Sequence, residues 1–260
     1  MGSMCQIEHG RLTGVLAKER PTTRALLRFK NGYAPELRPV HFRAAIQIDD
    51  HMGNVPDEAH RSDHNAEMLD IACMMFDADH ALAEKIDKPR LVEYIIVHDL
   101  FRSSILWLNP ATFVLGQYFE HVFAVRPAMQ FFRSLGYQEQ QVEDIGEAVA
   151  VHAFSPADLR SKSLPYDATR LLFNDLDNVS VLSRRRVNQM IRYLYRSFGK
   201  LPVQAILPYL AEKFEKDTDA FTYHFDVTRS EAIRRRNDVL PYVRRIAQWN
   251  KHPQKGKNTE

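Results

Sequence analysis

Apolar residues recur at helical spacing along most of the chain from about Asp63 onward. In segment 64–83 they include Met68, Ile71, Ala72, Met75 and Phe76, an i, i+3, i+4, i+7 pattern. Residues 89–107 predict a helix that is apolar on nearly every face, as expected for the centre of a bundle. Asn109-Pro110 breaks that helix and starts the next, with Pro110 tolerated in the first turn. The new helix runs to Leu135, where Gly136 serves as a C-terminal cap. Segment 138–153 is helical again, and Ser155-Pro156 stops it. Residues 157–168 are polar and punctuated by Pro156 and Pro165, which predicts a loop. Helices follow at about 169–182, 184–198, 202–216 and 227–249, the last kinked at Pro241. Nothing alternates with period two, so the expected fold class is all-α.

The first 60 residues are less regular. An amphipathic piece near 21–30 is followed by Gly32, Pro35, Pro39, Gly53 and Pro56, which predicts a helical or irregular N-terminal extension over 1–58. The core is expected over 59–200, with a C-terminal helical extension, 201–260, packed on it. The tail His252–Glu260 is polar and expected to fray. There is no internal repeat.

Composition narrows the class. A chain of 260 residues can bury a sizeable core, and a formal charge of +2 is not the footprint of a dedicated nucleic-acid binder. Cys5 and Cys73 are too few for a disulfide framework or a cysteine-based zinc site, and read as reduced thiols of a cytoplasmic protein. The longest apolar stretches carry charges and fall short of the roughly 20 residues that span a bilayer, so no membrane partner is expected. The opening Met1-Gly2-Ser3-Met4 reads as an expression remnant, with no secretory signal before the globular part.

One chemical anomaly stands out. His98-Asp99 lies in the apolar run Leu91–Phe101, where a buried carboxylate costs several kcal/mol unless a cation or strong hydrogen bonds compensate. Four other positions repeat the metal-ligand theme: His64, His121, His152 and Asp177. The separations 34, 23, 31 and 25 are each about one helix plus a turn, so one ligand per successive helix can point to a shared bundle centre. Imidazoles and carboxylates without thiolates suit divalent Mn, Fe, Co or Ni better than structural zinc. Asp175 competes with Asp177 for the last position, and His60 is an alternative to His64. His9, His41, His51, His80, His224 and His252 have no motif context.

This order resembles the HD-domain superfamily over roughly residues 60–185: a histidine, an adjacent His-Asp pair, often two more histidines and a final aspartate. The segments Gly136–Ser155 and Arg170–Asn178 are similar to the family's helices carrying the third-histidine motif and the last aspartate. The resemblance implies an HD-domain helical bundle in which His64, His98, Asp99 and Asp177 hold one ion. In the expanded form, His121 and His152 bind a second ion and Asp99 bridges the two. It also implies a metal-dependent phosphohydrolase acting on a nucleotide or other small phosphorylated, anionic substrate. Two ions can clamp a phosphoryl group for in-line attack.

The chain departs from the family three residues after Asp99. Many members carry a lysine there and a nucleotidase branch a glutamate; here it is Arg102. Arginine suits phosphate or carboxylate and cannot serve as a general base near neutral pH. Asp99 and Arg102 are therefore the expected catalytic pair, Arg102 holding a phosphate oxygen, with a salt bridge to Glu67 or Glu120 as its structural alternative. Arg160 and Lys162 are further candidates for substrate binding, and Phe154 and Tyr166 for stacking. The run Arg184-Arg-Arg186 reads either as a phosphate-binding rim or as a solvated helix face. The same ligand set is compatible with a di-iron oxygenase that cleaves a C–P or C–C bond. A non-catalytic nucleotide- or metal-binding module is the third reading.

Overall fold

The run from Leu91 to Val97 carries a single charge, Glu93, and in the computed structural model of the chain every residue of it is buried. The structure describes residues 20–53, 55, 61–104, 119–152, 166–220 and 223–251. The fold is all-α, with no strand among the described residues. In chain order the helices are α1 (Pro21–Gly32), α2 (Pro39–Met52), α3 (Ser62–Ala78), α4 (His80–Lys85), α5 (Lys88–Val97) and α6 (Phe101–Ser104). They continue as α7 (Glu120–Phe123), α8 (Val125–Ser134), α9 (Glu139–His152), α10 (Ala168–Ser180), α11 (Arg184–Phe198), α12 (Lys200–Ala220) and α13 (Asp226–Lys251).

Helix α5 is the axis of the assembly, with α2, α3, α9 and α10 packed around it. Asp87 caps its start by accepting the Arg90 N–H, and Pro89 sits in the first turn, where its missing N–H costs nothing. The buried Glu93 is matched from α2: His41 Nδ1 accepts the Arg38 N–H at 2.9 Å, so its Nε2–H donates to Glu93 at 3.1 Å. Asp144 on α9 binds Arg90, Tyr94 and Arg170, tying α5, α9 and α10 together at one carboxylate. No helix among the described residues is long and apolar enough to cross a membrane.

Within the extension expected to be helical or irregular, residues 39–52 form a full helix, with Pro39 in its first turn. Leu26, Phe29, Ala44, Ala45 and Ile48 of α1 and α2 lie in the same buried cluster as the α5 side chains. The structure corrects the sequence reading at three places. The helix expected over 64–83 divides at Asp79, whose side chain caps α4 by accepting the Leu82 N–H. The one expected over 89–107 breaks after His98, the last residue with an N–H bond four residues back, and tightens so that Leu100 N–H bonds Val97 and Arg102 N–H bonds Asp99, three residues back in each case. The one expected to run to Leu135 is interrupted at Ala124, because Pro127 lacks an N–H and its ring crowds the carbonyl four residues earlier. The loop expected over 157–168 lies mostly outside the described residues.

Gly136 ends α8 as expected. Its φ of 83° is left-handed, its N–H bonds the Arg133 carbonyl at 3.0 Å, and the Tyr137 N–H bonds that of Phe132 at 3.2 Å. The Tyr137 and Phe132 rings then meet at 4.7 Å, completing a Schellman closure. Gly136→Ala should cost about 1–2 kcal/mol, because a Cβ is disfavoured at that φ. A melting temperature lower by about 3–6 °C in calorimetry checks it.

Candidate metal centre

His64 lies in the first turn of α3, His98 and Asp99 in the tight turn after α5, and Asp177 near the end of α10. Each is placed by a helix whose apolar stripe faces the core; on α10 that stripe is Leu172, Phe173, Leu176 and Val179. Asn65, next to His64, donates to the Ile96 carbonyl at 3.2 Å and so ties the start of α3 to the end of α5.

The ligand-type atoms of His64, His98 and Asp99 come together as one buried group, and Asp177 approaches it through the two histidines. His64 Nε2 is 3.1 Å from His98 Nε2, 3.0 Å from Asp177 Oδ1 and 3.6 Å from Asp99 Oδ2. His98 Nε2 is 3.3 Å from Asp99 Oδ2 and 3.8 Å from Asp177 Oδ1. The partners of the other ring nitrogens fix the protons. His98 Nδ1 lies 2.8 Å from the Ile95 carbonyl, which only accepts, so Nδ1 carries the hydrogen. His64 Nδ1 faces Ser180 Oγ at 3.4 Å, and that hydroxyl spends its own proton on the Asp177 carbonyl at 2.7 Å. Ser180 therefore accepts from His64 Nδ1. Both Nε2 lone pairs point at one place, together with two carboxylate oxygens. Such a cluster repels itself unless a cation sits among it, and ring nitrogens held by outer hydrogen bonds are how ligating histidines are oriented. Burial pushes His64 down to about 3, helped by the positive charge of Arg186, so its ring is neutral at ordinary pH.

His152 is buried beside His98, with ring centroids 5.2 Å apart, and its Nδ1 donates to the Val149 carbonyl. Its backbone carbonyl accepts from Asn174 of α10. The side chain of His121, all of Arg160, Lys162 and Phe154, and the alternative ligand His60 lie outside the described residues. Tyr166 is described and partly buried.

Asp175 and Asp177, the alternatives for the last position, have different neighbours: Asp177 faces His64 and His98. Asp175 is 0% exposed and receives the His224 N–H at 2.9 and 3.1 Å, the Phe225 N–H at 3.3 Å and the Thr228 hydroxyl. It caps the start of α13 from a different helix.

Arg102 differs from its expected place. It is 2% exposed, and its Nε donates to Asp99 Oδ1 at 2.9 Å. Its partner is the candidate ligand itself, where Glu67 or Glu120 had been the structural alternative. Asp99 thus presents one oxygen to Arg102 and the other to the histidines. Glu67 pairs with Arg235 at 2.8 Å.

Sequence reasoning passed over two residues. Ser180 is one turn after Asp177 and so shares its helix face, a signal available in the sequence. Arg186 belongs to a run read as a unit, yet the three arginines separate. Arg184 pairs with Asp238 and Arg185 with Asp63, both at the surface. Arg186 turns inward and is 6% exposed. Its position, with Gln189 and Tyr193 at i+3 and i+7, marks the buried stripe of α11. A separate polar cleft of about 350 Å³ is lined by Arg24, Arg28, Asp63, Glu67, Asp70 and Arg185, with each acid held by an arginine.

No family model, curated protein or solved structure matches the chain.

Proposed function

We propose that the chain is a metal-dependent phosphohydrolase of the HD-domain type, holding a divalent Mn, Fe, Co or Ni ion through His64, His98, Asp99 and Asp177. The observation that carries this reading is the buried group of His64, His98 and Asp99, with Asp177 Oδ1 3.0 and 3.8 Å from the two ring nitrogens, in a site without thiolates. A divalent ion bound there supplies Lewis-acid charge for a phosphoryl group and lowers the pKa of water. The protein supplies the rest. The Ile95 carbonyl and Ser180 hydroxyl orient the two rings, Arg102 fixes Asp99, and the Tyr94 and Phe173 side chains close the apolar wall. A rigid wall and fixed donors favour the charge that develops at phosphorus without reorganising at the moment of reaction.

Buried His152 beside His98 supports an expanded, two-ion site, and with it the di-iron oxygenase as a second reading. Elemental analysis of protein purified without chelator, followed by phosphate release across a panel of nucleotides and sugar phosphates, separates the two. Hydrolysis by iron-free, Mn-loaded protein supports the hydrolase. An oxygen-dependent visible spectrum from iron-loaded protein supports the oxygenase, and metal-loaded protein that turns over no phosphorylated compound ends the hydrolase reading.

A further inference from the structure

Three acids of α3, Asp63, Glu67 and Asp70, stand at i, i+4 and i+7 and so form one stripe of that helix. Each is met by an arginine from a different helix: Arg185 of α11 on Asp63, Arg235 of α13 on Glu67 at 2.8 Å, and Arg28 of α1 on Asp70 at 2.5 Å. These four helices leave the cleft of about 350 Å³ between them, and a fourth arginine, Arg24, lines it. Two contacts fix the level of Arg24 along α3. The Thr22 hydroxyl donates to the Ser62 carbonyl at 3.1 Å and Arg28 donates to Asp70, so α1 and α3 run side by side in the same direction. Arg24 falls between those contacts, on the stretch of α3 that carries Ala66 and Glu67, and shares its face of α1 with Arg28 one turn on. Glu67 is already taken by Arg235, and Glu231, which Arg235 also holds, is paired with Arg234 as well. The exposed guanidinium of Arg24 has no carboxylate partner among the described residues.

The cleft thus carries one positive charge more than its acids balance. Its arginines also have donors to spare, since a guanidinium offers five N–H groups and Arg28 bonds Asp70 through Nη2 alone. The Arg28–Asp70 and Arg185–Asp63 pairs are about half exposed, so a ligand that shares those arginines disturbs little. Apolar surface lies beside the charge. Met74 continues the α3 stripe one turn after Asp70, lines the cleft and is 45% exposed, and its unbranched thioether side chain adapts to what it meets. A cleft of this volume accepts a small organic molecule. We propose that it is a ligand site separate from the metal centre, for a small carboxylate with an apolar body. The carboxylate pairs with Arg24, with Arg28 beside it, and the apolar body lies on Met74. One surplus charge matches a monocarboxylate, whose two oxygens accept the planar guanidinium fork side by side. None of the residues lining the cleft is a candidate metal ligand.

Chelator-treated protein, isotope-labelled at its methionine methyl groups, is titrated with phenylacetate and followed by NMR, with Met74→Leu identifying the Met74 signal. Low salt is used because exposed charges are screened. Phenylacetamide, the uncharged analogue of the same shape, is titrated in parallel, and Arg24→Gln is compared with the parent chain. Expected are a saturable shift of the Met74 methyl with phenylacetate, affinity about tenfold lower for phenylacetamide, and a loss of about five- to tenfold in Arg24→Gln. Arg24 is exposed, so the variant should keep the fold, and unmoved signals from the other methionines before ligand is added check that. If the variant misfolds, the comparison of acid with amide carries the test. No saturable Met74 shift, equal affinity for the amide, or folded Arg24→Gln that binds as the parent does overturns the inference. Metal plays no part in the readout, so failure here leaves the metal centre standing, and a chain that takes up no metal leaves the cleft standing.

Discussion

Replacing Asp99 with alanine is expected to abolish metal retention, to lower phosphate release by about a thousandfold or more, and to destabilise the protein by about 3–5 kcal/mol. The first two effects follow from losing the oxygen that faces both His64 and His98 at 3.3–3.6 Å. Loss of a residue that merely orients a ligand already costs about 10–100-fold in metal affinity, so loss of a ligand atom should exceed that. The third effect has a different origin. Asp99 also accepts from Arg102 Nε at 2.9 Å, and Arg102 is 2% exposed. Removing the carboxylate strands a buried cation, and breaking such a pair from one side is worth more than removing it whole. The double variant Asp99→Ala with Arg102→Met should therefore recover most of the stability and none of the metal. Elemental analysis and thermal melts on the single and double variants separate the two roles. An Asp99→Ala protein that keeps both its metal and its turnover would remove Asp99 from the centre.

The neighbouring aspartates of α10 should dissociate stability from chemistry. Asp175→Ala is expected to cost about 3 kcal/mol, since two backbone N–H groups and a buried hydroxyl lose a charged acceptor and α13 loses its cap. For a chain of this size that is a drop of about 6–12 °C in melting temperature. Metal content and turnover per folded molecule should stay near those of the parent at low temperature. Asp177→Ala is expected to do the reverse: metal lost, turnover lost, and the melting temperature of the metal-free protein within a few degrees of the parent. Thermal melts of chelator-treated protein, paired with elemental analysis, read both. If Asp175→Ala loses metal while Asp177→Ala keeps it, the assignment of the two side chains is inverted.

The helices were legible where local signals agree. The expected 184–198 and the observed α11 (Arg184–Phe198) coincide because Ser183 caps the start, Gly199 follows the end and the buried stripe keeps helical period between them. The second helix stayed open between helical and irregular because Pro39 carries opposite meanings in the first turn of a helix and in its interior, and only the following residues decide between them. The division at Ala124 had its signal in Pro127, two positions into α8. The tightening at His98–Asp99 had none: the flanking residues are all good helix formers or apolar fillers, and the turn is set by what surrounds it.

By itself the sequence determined that the chain is helical and that histidines and aspartates recur one per helix, because period and capping are properties of neighbours along the chain. Which of those side chains meet was decided only by tertiary structure. Asp175 and Asp177 both lie beside the apolar stripe of α10, so periodicity cannot choose between them. The choice depends on α13 covering one flank and α3 the other. Arg102 turned to Asp99, and Arg186 left the surface that Arg184 and Arg185 keep, for the same reason. A charged side chain of fixed sequence position can satisfy its charge with any partner that packing brings within reach, and that partner is supplied by another helix.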